Sequence, residues 1–442
     1  MRGMIVAWAV LSVLLSGLTV QAQAPANPTQ GAVYFAPNAG PMQQPVQTTG
    51  YTTPAPAAAT TFQRGTDAGF AASDADVSFW FIGEYLYWGL SGAKVPPLLT
   101  TSPPGTSVGS AGVIGAPGTR VVYGGSDIND DFRSGFRVRA GVWLDEDQNH
   151  GIDVSFFMLE GMGNGATVGA QDGSIISSRP FVDATTGLNN AELVSFPGIL
   201  NGTASVDAGS GAFWGVDALW RHKICCGHFN LSGCEDGGYF RVDLLSGFRY
   251  FRYDDQVTIT EDLTPLNPAI LPGTRILISD RFKARNAFAG GALGLGTDLQ
   301  FNRLSIWARG RVNLGATQRE VSIQGQTEVQ QPGFAPLVRS GGLLALNSNI
   351  GDYKSSRFTV LPEGDITLGY QVADFCRLLV GYSIIYWPGV AFAGEQIDPV
   401  VNPNLIPSKG GAQAVGPARP RFDFQSGDLF VHGLTAGIAF AY

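Results

Sequence analysis

Residues 132–144 read FRSGFRVRAGVWL, and they constrain this chain more than any other stretch. Phe136, Val138, Ala140, Val142 and Leu144 alternate with Gly135, Arg137, Arg139 and Gly141. Side chains along a strand point to opposite faces with a period of two, so one face is apolar and the other carries two arginines. A soluble core does not take two unpaired arginines, and a bilayer does not take them on its outer face. A closed barrel satisfies both demands, with the apolar face to lipid and the arginines in the lumen. The C-terminal residues 434–442, LTAGIAFAY, repeat the pattern with a small inner face. Leu434, Ala436, Ile438, Phe440 and Tyr442 alternate with Thr435, Gly437, Ala439 and Ala441. An aromatic terminus of this kind resembles the signal read by barrel-assembly machinery, carried by Leu434, Ile438, Phe440 and Tyr442.

The N-terminus predicts export. Arg2 precedes an uncharged apolar run over residues 4–18, and Val20-Gln21-Ala22 is a small-residue cleavage site, so residues 1–22 read as a signal peptide. A membrane anchor is the alternative; the run is short for a spanning helix. Residues 23–75 are rich in Pro, Ala, Thr and Gln without apolar periodicity, which predicts a disordered periplasmic arm. Residues 76–442 are expected to form the barrel. Only 14% of the 442 residues are charged, and the net charge is −8. There is no basic stripe for nucleic acid and no metal-ligand spacing among His150, His222, His228 and His432, so no cofactor or metal is expected.

Ten segments carry the alternation. The first, 77–90, turns Phe79, Phe81, Tyr85 and Tyr87 one way and Glu84 the other. The third and fourth place Asp153 and Asp217 against Ile152, Val154, Val216 and Trp220. The fifth places Arg241, Asp243 and Arg249 inward, and the sixth Asp298. The seventh and eighth set Arg309, Arg311, Glu363 and Asp365 against Val312, Leu314, Ile366 and Leu368. The ninth turns Leu378, Val380, Tyr382, Ile384 and Tyr386 outward. Short links alternate with links of roughly 30 to 50 residues, as periplasmic turns alternate with external loops in bacterial barrels. The expected fold is therefore all-β: a transmembrane, antiparallel, up-and-down β-barrel of about ten strands with five long extracellular loops. Trp80, Trp88, Trp214, Trp220, Tyr250, Tyr370 and Tyr386 near strand ends suggest interfacial girdles.

Several segments, among them GEYLYWGLSGAKVPPLLTTSP, RPFVDATTGLNNAELVSFPG, DRFKARNAFAGGALGL, GGLLALNSNIG and GEQIDPVVNPNLIP, resemble a planctomycete family of outer-membrane β-barrel porins, the seventh numbered family of that kind. The resemblance spans residues 77–442 and implies an outer-membrane location. It brings no catalytic residues with it.

The inward charges read in two ways. They line a channel that selects small solutes, or they fill a narrow barrel as a network of ion pairs; side chains fill small barrels, and open channels belong to barrels of about 16 strands. The near balance of sign and the strand number favour the network. Acidic residues at Asp127, Asp130, Asp131, Asp254, Asp255, Glu261 and Asp262 fall in expected external loops, where solvated carboxylates outrank a hydrolytic site. Residues 145–151 read as a plain turn rather than a calcium loop. Cys225, Cys226 and Cys234 fall in the link between strands four and five, an oxidising periplasmic setting, where Cys226–Cys234 is the expected disulfide and Cys225 the alternative partner. The first expectation for function is porin-like passage of small solutes; the alternative is a structural or adhesive surface barrel working through its loops, and a barrel hydrolase is disfavoured by the missing catalytic set. Expected partners are outer-membrane lipid and the assembly machinery. A soluble β-sandwich is the remaining fold alternative.

Overall fold

The computed structural model describes residues 78–229, 237–409 and 415–441. The expected signal peptide and arm lie outside the described residues, as do Cys234 and Tyr442. Ten long strands follow in chain order: β1 Phe79–Leu90, β2 Phe132–Trp143, β3 His150–Leu159, β4 Phe213–Phe229, β5 Gly238–Pro265, β6 Arg275–Phe301, β7 Leu304–Gln330, β8 Gly351–Ala373, β9 Cys376–Val390 and β10 Gly427–Ala441. Each pairs antiparallel with the next, and β10 pairs back onto β1 with Glu84 opposite Gly437. The ring closes, which leaves no unsatisfied sheet edge within the membrane.

The expected faces hold. Phe81, Tyr85, Phe136, Val154, Leu293, Leu314, Leu368, Val380 and Leu434 are exposed to the outside, while Glu84, Arg137, Arg139, Asp153 and Asp217 are buried inside. On β5 the outward apolar row runs from Phe240 to Tyr250, a span close to the roughly 9–11 residues a tilted strand needs to cross a bilayer. Two girdle assignments are corrected. Trp80 and Trp88 share the parity of Glu84 and point into the lumen, where both are buried. Trp214, Trp220, Tyr250, Tyr370 and Tyr386 keep the outward parity of their strands.

Loop lengths are also corrected. Strands β5, β6 and β7 are 28, 27 and 27 residues long, so they stand well above the apolar band. What read as a long link between the fifth and sixth strands is mostly strand, and only residues 266–274 join them. Asp254, Asp255, Glu261 and Asp262 therefore lie on β5, not in a loop. Parity continues unbroken past Tyr250, but the chemistry reverses. Phe251, Tyr253, Val257, Ile259 and Leu263 now face inward and are buried, with Arg252, Asp254, Gln256 and Asp262 outside. Above the bilayer the outside is water and the inside is a dry core, so the apolar side of each strand switches. Two further strands, Leu200–Ser210 and Met162–Ala170, extend this wall beyond β5. The lower end differs too. Strand β4 runs to Phe229, so Cys225 and Cys226 sit in strand, opposite Val242 and Arg241, rather than in a turn. The bulge at Ile224 accommodates the extra residue.

Candidate functional site

The lumen is filled in three layers. At the periplasmic end Trp80, Trp143 and Trp307 cluster with Ile82, Leu379 and Ala439. Gly141 makes room for this floor, because a Cβ there would fall 2.0 Å from the Trp80 ring. Arg241 stacks 3.9 Å above Trp143, Arg221 lies 5.2 Å from the same ring, and Arg377 lies 5.6 Å from Trp307. Arg241 Nε donates to Asp243 at 2.8 Å, and Arg221 to the same carboxylate at 2.6 Å. Arg221 and Arg377 were not among the expected lumen residues. Parity alone finds them, since each adjoins an outward residue, Trp220 and Leu378.

Above the floor, Arg137, Arg139, Arg249, Arg309 and Arg311 meet Glu84, Asp153, Asp217, Glu363 and Asp365. Glu84 accepts from Arg137 and from Arg139, the latter at 2.7 Å. Three pairs cross the lumen between strands that are not neighbours. Arg249 on β5 reaches Glu363 on β8 at 2.8 Å, Arg311 on β7 reaches Asp217 on β4 at 3.1 Å, and Arg309 on β7 reaches Asp153 on β3 at 3.2 Å. Arg249 also bonds Asp217. Each side chain in these cross-lumen pairs is 10% exposed or less. The space left among them is about 20 Å³, room for about one water. The sign count balances, which is what allows ten charges to leave bulk water together. The structure thus brings the expected inward charges into one buried assembly, with Arg241, Asp243 and Asp298 in the floor.

The third layer is a folded lid. Phe157, Phe213, Phe251, Phe288 and Trp387 pack ring against ring over the charged layer. The external connections then build their own sheet from Asn189–Ser195, Ile176–Asp183, Leu99–Ser102 and Arg120–Tyr123, and its core merges with the inner face of the wall. Polar clasps hold it. Arg179, fully buried, donates to Glu261 on β5 and to Asp280 on β6, the latter at 2.6 Å. Asp280 in turn accepts the backbone N–H groups of Leu343, Leu344 and Ala345 at 2.9–3.2 Å. Only glycine fits at 342, where a Cβ would lie 2.1 Å from the Asp280 carboxylate. Asn286 makes a two-way clasp with the backbone of Ala391, both bonds at 2.8 Å. Asp255 accepts from the Ala393 N–H at 2.9 Å. The segments that carry the family resemblance in the sequence are thus the ones that meet here. The alternation found no lid clasp, because a clasp joins a strand to a distant loop.

Substituting Asn286 by Ala removes both bonds to Ala391 and leaves that buried backbone unpaired, at a cost of about 1–3 kcal/mol. The expected result is faster amide exchange across residues 391–393 with the barrel amides unchanged.

The remaining candidates stay apart. Asp130 and Asp131 are exposed, and Asp254 and Asp262 pair outward with Arg252 and Arg275. Residues 145–149 form a turn in which Asp145 caps the N–H groups of Asn149 and His150 at 2.8 and 2.7 Å. Among the described residues no group of three His, Cys, Asp or Glu side chains is placed to hold a metal ion. Leu434 and Ile438 face outward, 56% and 40% exposed, on the closing strand. Cys226 is exposed near the foot of β4, and its expected partner Cys234 lies outside the described residues.

No curated protein matches the chain. Among solved structures it is similar to the outer membrane protease OmpT from Escherichia coli, with 8% identity, a TM-score of 0.38, and 85% of this chain and 100% of that chain covered. It is also similar to a Pseudomonas aeruginosa FadL homologue (8% identity, TM-score 0.22, 83% and 90% covered) and to the P. putida toluene transporter TodX (10%, 0.17, 84% and 90%). These likenesses say nothing of this chain's activity. A family model, described as Putative beta barrel porin-7 (BBP7), matches residues 80–442, which is the closed ring together with its lid. With its ten strands, its apolar outer band and that match, the chain is an outer-membrane-type β-barrel and belongs to the beta barrel porin-7 family.

Proposed function

We propose that this protein is a surface barrel of the outer membrane that does not conduct at rest and works through its folded external lid, in a structural or adhesive role. The cross-lumen ion pairs carry this reading. Side chains from opposite walls meet directly at mid-height, and an aromatic floor and an apolar lid lie below and above them. A water-filled path needs all three layers to move, and breaking buried pairs without replacement is costly. In this reading residues 1–22 direct export from a planctomycete cell, residues 23–75 form a periplasmic arm, and the assembly machinery reads the last strand. No catalytic role is assigned: Asp130 and Asp131 are solvated, Asp254, Glu261 and Asp262 pair with arginines, and Asp255 is buried against the Ala393 N–H.

Passage of small solutes is the second reading, favoured by the family's description as a porin. Single-channel recording of the refolded full chain in a planar bilayer separates the two. The surface-barrel reading expects no steps from a protein that migrates as a folded, heat-modifiable band. Discrete, reproducible steps would sink it and make Arg309 and Arg311 the next residues to change.

A further inference from the structure

The outward row of β6 changes character abruptly above the membrane. Leu295, Leu293, Gly291, Ala289 and Ala287 face lipid, and then Arg285, Lys283 and Arg281 follow at every second position. Tyr250 on β5 and Phe358 on β8 mark the same height by outward aromatics, and Arg252 and Lys354 stand just above them. Five cations therefore gather on one sector of the rim, over the β5–β8 wall. An open groove of about 410 Å³ runs between them, lined by Arg281, Lys283, Arg285, Glu320 and Lys354.

Carboxylates are interleaved with the cations. Arg252 pairs with Asp254 at 2.9 Å and Lys354 with Glu320 at 2.8 Å, while Arg285 lies 3.7 Å from Asp254 and 3.5 Å from Glu320. Asp352 lines the far side of the groove. Among the described residues Arg281 bonds a neutral amide, Gln256, at 3.0 Å. Five cations against Asp254, Glu320 and Asp352 leave the sector net positive. The rest of the rim differs at this height. It presents Glu160, His432 and Asp428, with no lysine or arginine in the outward row of β1, β2, β3, β9 or β10.

We infer that this sector is a binding site for the net-anionic, phosphate-bearing headgroup of an outer-leaflet lipid. The position selects the occupant. Arg252 and Arg285 lie two strand residues above the lipid-facing band, at the level where headgroup phosphates sit, with Lys354 and Lys283 about four and Arg281 six residues up, and the acyl chains of a bound lipid would continue down over Ala287, Ala289 and Leu293. Clustered lysine and arginine beside a bilayer attract anionic headgroups through charge, and guanidinium forks match phosphate oxygens. Free phosphate offers the same oxygens but has no chains to lay on the band below.

The test uses the refolded full chain in neutral detergent micelles doped with dioleoylphosphatidylglycerol, dioleoylphosphatidylcholine or no lipid, with inorganic phosphate as a separate arm. Binding is read by lipid co-elution and native mass spectrometry, and folding by heat-modifiable migration. Retention of phosphatidylglycerol over phosphatidylcholine is expected, with about a hundredfold loss of affinity in R281Q/K283Q/R285Q. If that variant does not fold, K283Q and R281Q singly are each expected to weaken binding about fivefold. R303Q, at the periplasmic turn, is expected to bind like the parent protein. Equal retention of both lipids, displacement of phosphatidylglycerol by millimolar inorganic phosphate, or binding untouched by the substitutions would each overturn the site.

Discussion

Replacing Arg179 by Met is expected to undock the lid while leaving the membrane barrel closed. Among the described residues Arg179 is the one cation paired with both Glu261 and Asp280, and all three side chains are fully buried. Removing one member of such a group strands the other charges, which costs about 3–5 kcal/mol. Asp280 retains its three backbone donors from residues 343–345, whereas Glu261, which burial already pushes up to about 8 against the pull of Arg179, is left protonated. Lysine is expected to restore little, since a single ammonium does not reach two carboxylates as a guanidinium fork does. The measurement is limited proteolysis of the folded protein beside its heat-modifiable migration. New cleavage within residues 160–212 and 331–350, with migration unchanged, is the expected outcome. An unaltered cleavage pattern would mean that the apolar core alone holds the lid.

A second large effect is expected from pH. Asp255 sits above the apolar band and inside the lid, and burial, aided by Glu395 and Asp254, pushes its carboxyl up to about 8 against the pull of the Ala393 N–H and Arg133. Its ordinary value is 3.8, so between there and about 8 the folded lid holds a proton that the unfolded chain has released. Stability then falls as pH rises across that window, and the full penalty is present above it. Over several pH units this amounts to a few kcal/mol. Glu261, also pushed up to about 8 by burial with Glu192 nearby, adds to the same trend. The lid is therefore expected to be tightest near pH 5 and loosest near pH 9, as read by amide exchange at residues 391–393. D255N keeps an acceptor for Ala393 without a charge, so it is expected to slow exchange at pH 9 and to remove about half of the pH slope, with Glu261 supplying the rest. A D255N slope equal to that of the parent would show that Asp255 is ionised in the lid at every pH tested.

Much of the barrel was legible in the sequence because its signal is local. A period of two assigns each residue of 132–144 or 434–441 to a face without knowledge of its neighbours, and Glu84, Arg137, Asp217 and Arg249 all point where that parity puts them. Applied strictly, the same rule puts Trp80 and Trp88 inside, where the structure buries them; assigning them to girdles followed a general preference of aromatics instead. The upper halves of β5 to β7 escaped notice for a physical reason. Past Tyr250 the strands leave lipid for water, the apolar side turns inward, and a search for apolar-out residues stops where the strand does not.

The sequence by itself determined the strand number, the lipid-facing side and the set of charges that must turn inward. The tertiary structure decided which charges meet and whether the lumen is filled. Glu363 and Arg249 are 114 positions apart, and Arg309 and Asp153 are 156 apart; ring closure and stagger bring them together, not any local pattern. The lid is likewise a product of closure. Arg179, Asp280 and residues 343–345 come from three distant segments, and only a complete ring supports the wall against which they pack.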